Sequence, residues 1–305
     1  MTQKRIFVTG ASGYLGSAVA ARMARGGHEV YGLTRRKRSA ETLERMGVKP
    51  VVGDLSKPAT FVGVLKNCDA IVHAASDSRA WAERDQAALE VFRAAAQDGR
   101  VRRLLYTSGV WVHGDTAGKV VDETTALDPA ELVRWRVTHE QVALGLADHE
   151  VAVVVFRPAI LYGEARGIIG GLFDEARAKQ TVTIPGDGTQ HWELVHRDDV
   201  AEAYHLALEY ARGGERYILT DEAHLTAGEV GAALAHATGA SLKHLARAAV
   251  IKGLGKYGEA LLMSQQATAA RARRELGWVP RHTSFVVEVE GLYGEWQSGQ
   301  HAPVA

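Results

Sequence analysis

Residues 9–16 read Thr9-Gly10-Ala11-Ser12-Gly13-Tyr14-Leu15-Gly16, and no other stretch restricts the possible folds as tightly. The apolar run Ile6-Phe7-Val8 precedes it, and a helical pattern from Ser17 to Arg25 follows. Strand, glycine turn and helix in that order make a phosphate cradle. Gly10 permits the tight turn, Gly13 lets backbone approach a pyrophosphate, and Gly16 lets helix pack on strand. Ser12, Tyr14 and Leu15 lie in the same loop and share its contact with the ligand. The helix N-terminus adds free N–H groups and the positive end of its dipole.

The following residues repeat this alternation. Apolar runs at 5–9, 29–33, 50–53, 70–74, 103–107 and 152–156 are expected to form buried parallel strands. Helical patterns at 17–26, 39–46, 57–66, 83–97 and 130–147 separate them. This implies an α/β fold with a Rossmann-type doubly wound parallel sheet. Ligand is then expected at the carboxyl ends of the strands. After Pro158 the pattern loosens, and helices are expected at 199–211, 227–237 and 265–276. We expect a dinucleotide-binding domain over 1–165 and a smaller, mostly helical substrate lobe over 166–305, with 199–220 returning to the first domain.

The chain's 305 residues suffice for one large or two modest domains. Lys+Arg and Asp+Glu both total 36, which argues against a nucleic-acid or membrane-surface partner. A single cysteine, Cys68, rules out an internal disulfide and fits a reducing compartment. The first strand begins almost at the N-terminus, so no signal peptide is expected and the expected location is the cytoplasm. No metal site is expected.

The end of the second strand bears on the cofactor. A carboxylate about twenty positions after the glycines would bind a ribose 2′-hydroxyl. Thr34 stands there, followed by Arg35-Arg36-Lys37-Arg38. Nothing repels a 2′-phosphate, and Arg35 or Arg36 can clamp one with paired donors. The expected cofactor is NADP(H). Asp54 and Leu55 end the third strand, where a carboxylate can accept from an adenine amino group. Ala74 and Ala75 follow the fourth, where small residues let backbone pass close to the cofactor.

At this point the chain resembles the extended short-chain dehydrogenase/reductase family, also called the NAD-dependent epimerase/dehydratase family. The matching segments are TGASGYLG at 9–16, GDLS at 53–56, HAAS at 73–76, YTSGVWVHG at 106–114, RPAILYG at 157–163, GDGTQHWELVHRDDVAEA at 186–203 and ARRELGWVP at 272–280. The resemblance implies that Pro158 lies beside the nicotinamide and that substrate sits between the sheet and the C-terminal lobe. It also implies a Tyr-x-x-x-Lys on the fifth helix and a hydroxyl after the fifth strand. Here the tyrosine slot holds Trp135, the lysine slot His139 and the hydroxyl slot Gly109.

These substitutions redirect the chemistry. An indole N–H only donates, so Trp135 can orient a substrate or stack on it without exchanging protons. Gly109 makes room. His139 can act as general acid or base, or hold a cofactor ribose as the family lysine does. Ser108, His113 and Tyr162 are further candidates on the same edge, and Trp81, Trp111 and Trp192 could form a flat apolar pocket. The expectation is an NADP(H)-dependent oxidoreductase with an unusual proton donor, acting on a small apolar or aromatic electrophile. Two alternatives stand beside it: an epimerase, lyase or isomerase that uses the cofactor transiently, and a catalytically silent NADP(H)-binding sensor. A homodimer through the fourth and fifth helices is usual in the resembled family.

Overall fold

The computed structural model describes residues 2–76, 80–164 and 166–301. The domain boundary expected at 165 falls on Ala165, outside the described residues. The first half runs β1 (Arg5–Thr9), α1 (Tyr14–Arg25), β2 (Glu29–Thr34), α2 (Lys37–Arg45), β3 (Lys49–Val52), α3 (Val62–Leu65), β4 (Ala70–His73), α4 (Trp81–Asp98), β5 (Arg103–Thr107), β6 (Val120–Val121), α5 (Arg134–Leu144) and β7 (Ala152–Pro158). Then come β8 (Ile160–Tyr162), α6 (Gly167–Lys179), β9 (Thr181–Pro185), β10 (Leu194–His196), α7 (Arg197–Tyr210), β11 (Glu215–Leu219), α8 (Ala227–Thr238), β12 (Ser241–Leu245), α9 (Arg247–Leu261), β13 (Gln266–Ala267), α10 (Ala270–Leu276) and α11 (Phe285–His301).

Seven strands form a parallel sheet in the order β11-β7-β5-β4-β1-β2-β3. Chain order reverses between β1 and β4, where Val8 lies opposite Val72 and Thr9 opposite His73. That reversal opens a crevice at the carboxyl ends of the strands. The central strands are apolar on both faces because both faces are covered. Ile6 and Val8 pack with Val19 of α1 and Tyr204 of α7, while Phe7 packs the other way against Leu89 and Phe92 of α4. A separate core in the C-terminal lobe gathers Phe173, Trp192, Leu234, Phe285 and Trp296.

The differences from the sequence expectations have local causes. The helix expected over 130–147 is α only from Arg134 to Leu144, with 3-10 turns at Glu131–Val133 and Gly145–His149. The stretch 57–66 divides where Pro58 starts a 3-10 turn ahead of α3. The stretch 265–276 is helical only from Ala270, because Gln266–Ala267 pairs with Val120–Val121. Strand β11 escapes notice because it opens on Glu215-Arg216 at the sheet edge, and α9 because it carries three glycines, one of them, Gly255, at φ 54°. Cys68 is buried, and burial pushes its thiol up to about 12. Among the described residues no helix is long and apolar enough to cross a membrane.

Candidate functional site

The glycine loop joins β1 to α1 at the crevice. Gly10 has φ 68°, and a Cβ there would stand 2.6 Å from the Ala74 carbonyl oxygen. A Cβ on Gly16 would stand 2.1 Å from the Gly10 oxygen. Neither position tolerates a side chain, so β1, α1 and the loop after β4 close on one another through bare backbone. Gly13 caps α1 without a side-chain hydrogen bond, and no acidic residue occupies the first turn. Helix N–H groups therefore stay available for an anion.

A cleft of about 720 Å³ extends from this loop along the strand ends. Gly10, Ser12, Gly13, Tyr14, Leu15, Arg35, Arg36, Asp54, Leu55, Ala74, Ala75 and Pro158 all line it, whereas Gly16 lies behind the loop. Ser108, Trp135, Trp81 and Trp111 also line it. Thr34 is buried, and its hydroxyl donates to the Ser12 hydroxyl at 3.5 Å. The Asp54 carboxylate accepts from the backbone and the hydroxyl of Ser56, which hold it below its usual range. Ser108 Oγ is buried at the cleft edge with no partner among the described residues.

Behind the wall lies a polar line that the sequence analysis missed. Thr9 Oγ1 meets His73 Nδ1 at 2.7 Å, and His73 Nε2 meets Asp85 at 3.0 Å. The other Asp85 oxygen accepts from Tyr106 Oη and from His139 Nδ1, both at 2.8 Å. Burial pushes the Asp85 carboxyl up, but the bonds from His139, His73 and Tyr106 outweigh it and hold the group well below the usual range. His139 is buried one layer under the cleft and packs edge-on against Trp135, with ring centroids 4.9 Å apart. Its neighbour Glu140 is fully buried and grips Arg157 of β7 at 2.6 and 3.1 Å, which fixes α5 against the sheet. The sequence carried one faint signal: His73 ends a strand and Asp85 opens the helix that follows.

Three candidates are corrected, and His139 does not line the cleft, against its expected contact with a cofactor ribose. His113 Nε2 accepts from Arg157, and burial, reinforced by the Arg157 cation, pushes its pKa down to about 4. It is a neutral acceptor in the core and does not line the cleft. Tyr162 is wholly buried between His196 and Phe285 in the core of the C-terminal lobe, and its ring does not reach the cleft. Trp192 also turns away, since its indole donates to the Leu261 carbonyl beside a neighbouring hollow. Among the described residues one group, His196, Asp199 and His282, could meet a metal ion. Both Asp199 oxygens accept backbone N–H bonds, from Arg281 and His282, so the carboxylate is occupied as a latch for the C-terminal segment.

A doubly wound sheet whose uncapped glycine turn faces a long cleft defines a dinucleotide-binding protein of the Rossmann type. The profile of the NAD dependent epimerase/dehydratase family matches residues 6–219, and the chain belongs to that family. It is 26% identical over 290 residues to an uncharacterised protein of Schizosaccharomyces pombe, covering 93% of this chain and 98% of that one. It is 30% identical over 230 residues to the 4-hydroxy-2-methyl-3-oxo-4-farnesyl-3,4-dihydroquinoline-1-oxide ketoreductase of Stigmatella aurantiaca, covering 72% of this chain and 69% of that one. The dTDP-glucose 4,6-dehydratase of Streptomyces venezuelae, solved with NAD and TYD bound, shares the fold with a TM-score of 0.84. The identity is 22%, and the match covers 99% of this chain and 100% of that one.

Proposed function

We propose that this chain is an NADP(H)-dependent reductase of apolar or aromatic electrophilic carbonyl compounds, with His139 as its proton source. Family membership and the ketoreductase name of the Stigmatella relative support an NAD(P)-dependent oxidoreductase in general. The observation that carries the finer reading is the line Thr9–His73–Asp85–His139, which ties the base of the glycine loop to the helix bearing Trp135.

The residues fit the cofactor. Backbone at Gly13, Tyr14 and Leu15 would hold the pyrophosphate, Arg35 and Arg36 a 2′-phosphate, and Asp54 and Leu55 the adenine end. Ala74 and Ala75 would let backbone pass close by, and Pro158 would flank the nicotinamide. When bound, the nicotinamide supplies hydride to the carbonyl carbon. The carbonyl π pair then moves to oxygen, which needs a proton. Asp85 accepts from His139 Nδ1–H and fixes the ring; the imidazolium form carries a second proton on Nε2, and because His139 lies behind the cleft wall that proton would reach the oxygen through one bridging water. Trp135 orients the substrate without exchanging protons. A hollow of about 300 Å³ lined by Trp192, Leu254 and Tyr257 adjoins the cleft. Ile168 lines both spaces, and Trp111 packs edge-on against Tyr257 at 6.1 Å. This apolar extension suits a hydrophobic substrate tail.

The test is NADPH absorbance with purified protein and a panel of quinones, enones, imines, activated ketones and oxo acids. Substrate-dependent loss of NADPH with at least one member is expected. If NADPH binds and stays unoxidised across the whole panel, the reading fails.

A further inference from the structure

Arg136 lies in the cleft wall and forms no ion pair with a carboxylate among the described residues. Its Nη1 donates to the Ser108 carbonyl, and the guanidinium lies over the Trp135 ring, 5.4 Å from its centroid. Its Nε is buried and unpartnered among the described residues. The neighbouring carboxylates are engaged elsewhere: Asp85 by two histidines and a tyrosine, Glu140 by Arg157. Asp85 and Glu140 act on the Arg136 charge only from a distance; a desolvated cation with no carboxylate bonded to it is costly, and that cost is recovered when an anion binds it directly.

Gly109 explains how the arginine reaches this place. Its φ of 173° is extended backbone that any residue adopts, so conformation does not require glycine there. A Cβ at 109 would stand 2.8 Å from Arg136 Nη1 and 3.8 Å from the Pro158 carbonyl oxygen. The missing side chain is the space the guanidinium fills. That places the guanidinium beside Pro158 and Ser108, on the stretch of cleft where the proposed reduction occurs.

We propose that Arg136 anchors a carboxylate of the substrate, and that the substrate is therefore an oxo acid rather than a neutral carbonyl compound. With Nη1 committed to Ser108 and Nε buried, Nη2 is the donor left to meet a carboxylate, and the guanidinium charge assists that bond. The carboxylate stays unchanged in the reaction and sets the distance of the oxo carbon from the hydride donor. The choice of an oxo acid rests on the reductase reading; the anion site does not.

Calorimetric titration of the NADP⁺-saturated protein with hexanoate and with hexanamide tests this without turnover. Hexanoate is expected to bind at least about 10-fold more tightly than hexanamide. Arg136→Met is expected to weaken hexanoate binding about 10–100-fold and leave hexanamide unchanged, with Arg136→Lys intermediate. Gly109→Ser, which crowds the guanidinium, is expected to weaken hexanoate selectively as well. NADP⁺ affinity and thermal unfolding serve as controls for folding, and Arg136→Lys and Gly109→Ser carry the test if Arg136→Met does not fold. Equal binding of hexanoate and hexanamide to the unmodified protein, or hexanoate binding indifferent to these changes, overturns the proposal. Carboxylate selectivity in a protein that oxidises no NADPH would refute the reductase reading and leave the anion site standing.

Discussion

Asp85 serves three partners at once, His73, Tyr106 and His139, and all of them are buried. Asp85→Asn keeps the shape but offers a donor where three donors converge. The expected result is a kcat lowered by about 100-fold or more, with the folded protein destabilised by roughly 2–5 kcal/mol in urea titration. Asp221 is the contrasting carboxyl. Burial pushes it up to about 7, helped by the neighbouring charge of Glu193 and opposed by a hydrogen bond from the Ala223 amide, and its Oδ2 has no partner among the described residues. The unfolded chain ionises this group from an ordinary value of 3.8, whereas the folded chain does so only near 7. Stability is therefore lost as pH rises from 4 to 7, and the loss persists above 7. Asp85 has the opposite sign: its contribution is present above its ordinary value and lost as pH falls below it. Asp221→Asn is expected to stabilise by about 1–4 kcal/mol at pH 8 and by almost nothing at pH 3. Denaturant midpoints at the two pH values check this. Neither acid was legible in the sequence, because one sits on a helix and one on a loop, and only the fold brings their partners near.

At the scale of elements, strand–turn–helix pieces were readable where local pattern and tertiary role agree. β1, β4, β5 and β7 are continuous apolar runs because helices cover both faces. The glycine loop was readable because its spacing follows from backbone contact: β1 and α1 meet through Gly10 and Gly16. Gly16→Ala would drive a methyl into the Gly10 carbonyl. It is expected to lower the unfolding temperature by several degrees and weaken NADPH binding at least about 10-fold, by fluorescence titration. A variant that binds NADPH normally would contradict the close-packed loop. Helix α5 shows where reading stopped. Its residues Trp135, Arg136, His139 and Glu140 face four different environments: the cleft edge, the Gly109 gap, Asp85 and Arg157. A one-dimensional pattern could name Trp135 and His139 as unusual, but Arg136 gains its meaning only from the fold, which sets its guanidinium in the gap at Gly109. His113 and Tyr162 were misleading for the same reason, since nearness along the chain to a cleft strand does not reveal which way a ring turns.

At the scale of the molecule, the sheet supplies a dinucleotide site, and the C-terminal lobe closes it with apolar surface. The basic residues follow β2, which β1 and β4 separate from β5 in the sheet, and Trp135 stands on α5 after β5, so cofactor choice and chemistry fall on different elements. Arg35→Ala with Arg36→Ala is expected to weaken NADPH about 10–100-fold and NADH less than about 3-fold. The two dissociation constants check this, and equal losses would remove the 2′-phosphate assignment. The central claim is that His139, held by Asp85, supplies the proton that completes hydride transfer. Its most direct measurement is kcat for NADPH-linked reduction by His139→Ala against the unmodified protein, with NADPH affinity measured on both. The account predicts a fall of about 100- to 10,000-fold in kcat at nearly unchanged NADPH affinity. A His139→Ala protein that turns over within about 3-fold of the original would contradict it.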